Sequence, residues 1–80
     1  MDTASVFQVV GVNLDGTGQP AGEELQGTFS TLRAARVFCG ALLAGTQAFG
    51  WRFVERRREP DSWRMVNLNG EGGLIEIREG

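Results

Sequence analysis

Arg52, Arg56, Arg57, Arg58 and Arg64 are interleaved with Trp51, Phe53 and Trp63 in a chain that carries only eight basic residues, all of them arginine. Arginine presents a permanent charge and a planar fork of N–H donors to a carboxylate or phosphate. A neighbouring aromatic ring can stack on a base or fill a pocket in a protein partner. The spacing therefore suits a surface that binds. It does not suit a reacting centre, because the chain has no His, Tyr or Lys to serve as base or nucleophile. Glu23 and Glu24 are adjacent on an extended stretch and point to opposite faces. Glu55, Glu59 and Asp61 are interleaved with arginines that keep them ionised, whereas general acid catalysis needs a raised pKa. No enzymatic activity and no catalytic residue are expected.

Cys39 is the single cysteine, so no disulfide can form within the chain, and without histidine the usual zinc sites lack ligands. It falls on an apolar helical stripe, where a thiol is a small buried group with a raised pKa. The stretch from Gly16 to Gly22, GTGQPAG, has the glycine density of a phosphate-cradling loop. It does not open into a helix, since Pro20, Glu23 and Glu24 intervene, and it lacks a Gly-Lys-Ser/Thr ending. It reads as a hairpin loop. Neither cofactor nor metal is expected.

The element that must position everything else runs from Ser30 to Ala44. Leu32, Ala35, Cys39, Leu42 and Leu43 form one stripe at helical spacing with Phe38 at its edge. Ser30 is the expected N-cap and Gly45 the expected stop. Arg33 and Arg36 lie off the stripe and are expected to face water. Before the helix, Val6–Leu14 reads as a strand whose even positions, Val6, Val10, Val12 and Leu14, are expected to receive it. Asp15-Gly16 opens a turn, and Glu23–Phe29 returns as a shorter second strand. After it, Gly50–Arg58, Ser62–Leu68 and Leu74–Glu79 form a meander broken at Pro60-Asp61 and at Asn69–Gly73. The order ββαβββ predicts a single α+β domain, an antiparallel sheet with one helix across a face.

At 80 residues the chain has room for one small core and little room for a deep catalytic cavity. No apolar run approaches the ~20 residues of a membrane span, and the start, MDTASVFQVV, lacks the features of a signal peptide, so a soluble cytoplasmic protein is expected. The net charge of −2 is unevenly spread. Residues 1–32 hold four acidic and no basic groups, while residues 33–64 hold seven arginines against three acids.

In size and element order the chain is similar to the small accessory proteins with which phages inhibit host complexes. That likeness implies an inhibitory protein contact and carries no residue with it. The primary expectation is a non-enzymatic protein-binding module using Arg52, Arg56, Arg57, Arg58, Arg64 and Trp63. The alternative is an RNA or single-stranded DNA binder that uses the same arginines with an exposed Trp51 or Trp63. Acidity in the first 32 residues favours the protein partner, because it repels an approaching polyanion. Two open sheet edges, sought in the second and last strands, would permit a homodimer.

Overall fold

The computed structural model of the chain describes residues 6–58 and 61–80. Its elements are β1 (Phe7–Leu14), β2 (Pro20–Phe29), α1 (Leu32–Ala48), β3 (Arg52–Arg58), β4 (Asp61–Val66) and β5 (Gly72–Glu79). The strands form one sheet in the order β2-β1-β5-β4-β3, every neighbouring pair antiparallel, with α1 packed on one face. This is the expected α+β architecture. β5, the last strand, closes the sheet by inserting between the two hairpins.

Both ends of α1 differ from the sequence expectation. Thr31, not Ser30, is the N-cap: its extended backbone directs Oγ1 to accept from the Ala34 N–H at 3.1 Å. At the other end α1 passes through Gly45 to Ala48. There the Gly50 N–H donates to the Gln47 carbonyl and the Trp51 N–H to the Thr46 carbonyl, each at 3.1 Å, the paired closure of a Schellman motif. Gly50 has φ +90°, the left-handed step this closure requires. Gly45 is tolerated inside the helix at a cost of about 1 kcal/mol relative to alanine.

The face that receives α1 is the opposite of the one expected from β1. Val9 is fully buried against Ala35 and Cys39, in a core with Trp63, Met65, Ile75 and Ile77 and flanked by Phe7, Phe29 and Leu32. β1 is apolar on both sides and so cannot decide its own orientation. Its neighbours decide it, because β4 and β5 place their large apolar side chains on the face that carries Val9. Val10 and Val12 are nonetheless only 5% exposed on the other face, where Leu25 and Leu74 lie opposite them on the flanking strands.

Asp61 ties the helix to the β3–β4 hairpin. Arg36 donates to its Oδ2 from Nε at 3.0 Å and Nη2 at 2.8 Å, and Arg56 Nη2 donates to Oδ1 at 3.4 Å. Arg36, expected only to face water, is thus half-exposed and structural.

The free edges are β2 and β3. Glu76 and Arg78, expected on an edge, belong to the central β5, since the last strand gains two hydrogen-bonded neighbours instead of one. Bulges interrupt the pairing of β2 between its contacts with Val9 and Val10, and of β3 between Phe53 and Glu55. Such irregularities shorten the flat backbone run that an edge can offer to another strand. Among the described residues, no helix is long and apolar enough to cross a membrane.

Candidate functional site

The β3–β4 register divides the arginine cluster between the two faces of the sheet. Residues directly opposite on antiparallel strands share a face. Arg56 pairs with Trp63 and Phe53 with Met65, on the face covered by α1; Arg52 pairs with Val66, Arg57 with Ser62 and Glu55 with Arg64, on the open face. The bulge at Val54 resets the alternation along β3, so simple counting from Arg52 would misplace Arg56 and Arg57. Arg58 lies opposite Asp61 at the end of the ladder; its side chain lies outside the described residues, as do Glu59 and Pro60.

Trp63 belongs to the core, and Arg56 lies exposed at its margin on the same face. The Arg56 guanidinium carbon lies 5.0 Å from the Trp63 ring centroid while its Nη2 reaches Asp61. Trp63 is 7% exposed, with its ring packed among core residues. An indole so enclosed offers no platform to a nucleic-acid base. Trp51 is half-buried on the helix side, away from Arg52, Arg57 and Arg64.

Arg52, Arg57 and Arg64 come together across the open face in a shallow trough. One depression of about 220 Å³ lies among Leu14, Arg57, Arg64 and Leu74, with the carboxylates of Glu55 and Glu76 also in its wall. A second, of about 350 Å³, shares Leu14 and Arg64 and extends to Arg52, Val54 and Val66. Arg64 is the charge common to both. Arg57 approaches Glu55 at 3.4 Å, a long and exposed contact, whereas Arg52 and Arg64 make no ion pair among the described residues. Leu14, Val54, Val66 and Leu74 stand among the polar groups of its lining, and such apolar neighbours lower the local dielectric beside a guanidinium group and strengthen its field.

The acids around the trough are already engaged. Asp15, in the turn that borders it, accepts from the Thr17 hydroxyl at 2.6 Å, the Thr17 N–H at 2.8 Å and the Gln19 N–H at 3.0 Å. These bonds, the hydroxyl first, hold its carboxyl below the ordinary range. Glu76 is taken by Arg78 at 2.8 Å, and Arg78 also reaches Glu23 at 2.7 Å. That bond lowers the Glu23 pKa and raises that of Arg78. Arg52, Arg57 and Arg64 are thus matched in number by Asp15, Glu55 and Glu76 around the trough, and what sets Arg52 and Arg64 apart is that neither has an ion-pair partner among the described residues. Counting charges along the chain finds the arginines but not this pairing, which depends on which strands become neighbours.

The remaining sequence candidates take structural places. Cys39 is fully buried, and burial, reinforced by the nearby Asp61 charge, pushes its thiol up to about 11. Such a group is a thiol, not a thiolate, at neutral pH and has no nucleophilic character. The glycine-rich segment after β1 forms a tight turn that leads directly into β2. No three His, Cys, Asp or Glu side chains gather to hold a metal among the described residues. Comparison with protein-family models, with curated proteins and with solved structures finds no match to this chain.

Proposed function

We propose that the chain is a non-enzymatic binding module that docks an acidic segment of a protein partner onto the open face of its sheet. Arg64 is the central anchor and Arg52 and Arg57 flank it. The observation that carries this reading is that Arg64 stands at the junction of both depressions, exposed and without an ion-pair partner among the described residues. A partner carboxylate placed there gains bidentate hydrogen bonds beside apolar side chains. Leu14, Leu74, Val54 and Val66 supply the apolar contact that a specific interface also needs.

Trp63 leaves the set of contact residues, because the core encloses it, and Arg56 lies on the helix-covered face, away from the trough; the side chain of Arg58 lies outside the described residues. The nucleic-acid alternative loses its stacking partner with Trp63 enclosed. An inhibitory action on a host complex rests only on the likeness in size and element order to phage accessory proteins.

The test is capture of partners from the source cell by the tagged chain, followed by titration of the recovered complex. Arg57→Glu with Arg64→Glu should abolish a saturable, stoichiometric complex. Arg33→Glu, in the first turn of α1, should leave it intact, since a few central anchors carry most of an interface's affinity. Salt-sensitive retention of an oligonucleotide by the native chain, lost in the same double variant, would overturn the protein reading in favour of nucleic acid.

A further inference from the structure

The helix-covered face has its own opening, separate from the arginine trough. Gly11 on β1 and Gly73 on β5 both face α1, and their missing side chains leave a cleft of about 230 Å³ beneath its last turns. Leu42, Met65 and Trp51 form its walls. The Trp51 ring and the Gln26 side chain stand over these glycines: a Cβ on Gly73 would meet the ring at an ordinary contact of 3.4 Å, and one on Gly11 would press the flexible end of Gln26 at 3.1 Å. The cleft continues into an apolar groove that shares Leu42, Thr46 and Trp51 and runs out to Phe49, which is 86% exposed.

The charge of this cleft differs from the trough's mixture of arginines and carboxylates. Among the described residues, Glu24 is the only ionisable one lining either the cleft or its groove, and it makes no ion pair. No arginine lines them, and α1 has no basic residue in its last turn to offset the negative end of its dipole. An aromatic face, aliphatic walls and one carboxylate at the mouth are complementary to a cation with an apolar body. We propose that this cleft binds a small amphipathic organic cation, an alkyl- or arylalkyl-ammonium ion. The ammonium group lies at Glu24, and the apolar portion runs under Leu42 along Trp51 towards Phe49.

The probe is hexylammonium, compared with hexanoate and hexan-1-ol at matched ionic strength by ¹H–¹⁵N NMR of the native chain. Hexylammonium should produce saturable shifts at the Gly11 and Gly73 amides and the Trp51 indole N–H. Hexanoate, repelled by Glu24, should bind at least about tenfold more weakly. Glu24→Gln should weaken hexylammonium about fivefold while leaving hexan-1-ol unchanged, the size of one partly exposed charge contact. Gly11→Val should block all three, since its side chain displaces only the flexible end of Gln26. If that variant does not fold, the hexanoate comparison and Glu24→Gln decide the matter by themselves. Absence of saturable shifts with hexylammonium, equal binding of hexanoate, or shifts mapping to Arg57 and Arg64 would overturn the proposal. None of these outcomes bears on capture of a protein partner by the trough.

Discussion

On the helix-covered face Arg36 and Arg56 converge on one buried carboxylate, whereas on the open face Arg52 and Arg64 have no ion-pair partner among the described residues. The same residue type is engaged on one side, from α1 and β3, and left available on the other, on β3 and β4. The difference lies in what each face must bury. The covered face encloses Trp63, Met65, Ile75 and Ile77, and Asp61 beside them needs its charge compensated once water is excluded. The open face has only a thin aliphatic layer, Val10 and Val12 under Leu25 and Leu74, and its guanidinium groups keep their hydration. A cluster of arginines in sequence is therefore two populations in space, and only one is free to meet a partner.

The largest effect that separates the faces is expected at Trp63. Trp63→Ala should lower the unfolding free energy by about 3–5 kcal/mol, the usual cost of emptying a large aromatic site. Leu25→Ala on the open face, where Leu25 is 55% exposed, should stay within about 0.5 kcal/mol. Urea denaturation of the two variants gives the contrast directly, and equal midpoints would break it.

Asp61→Asn should come next. Its carboxylate is buried, but Arg36 and Arg56 are partly exposed and recover hydration when released, so the loss is expected at about 1–3 kcal/mol. The charge-reversing pair Arg57→Glu and Arg64→Glu, by contrast, should leave the denaturation midpoint close to native. A collapse of stability in that double variant would mean that the open-face arginines are structural after all.

A third contrast concerns pH and is unusually easy to isolate, because the chain has neither Lys nor Tyr to titrate in the alkaline range. Folding raises the Cys39 pKa from an ordinary value near 9 to about 11. The protonated thiol is the form the core accepts, so the folded chain holds more protons than the unfolded chain between these values. Stability from this source is complete below about pH 9 and falls as pH rises towards about 11. Cys39→Ala should flatten that part of the stability profile. A decline that persists unchanged in the variant would assign it to another group.

The sequence by itself determined the local elements and their order. The stripe through Leu32, Ala35, Cys39, Leu42 and Leu43 and the turn signals at Asp15-Gly16 and Asn69–Gly73 act over a few residues, and short-range geometry is enough to read them. It also contains no His, Lys or Tyr, which confines any acid–base or metal-ligating chemistry to carboxylates and one thiol. Only the tertiary structure decided which side of β1 meets the helix, because Phe7 and Val9 compete with Val10 and Val12 on nearly equal terms and the choice belongs to Trp63, Met65, Ile75 and Ile77 on distant strands. It likewise placed β5 at the centre, which moved Glu76 and Arg78 off the edge, and the Val54 bulge, which turned Arg56 to the helix-covered face and Arg57 to the trough. Side-chain direction along a strand has a period of two, so one inserted residue reverses every assignment beyond it, and only the pairing of whole strands fixes where that insertion lies.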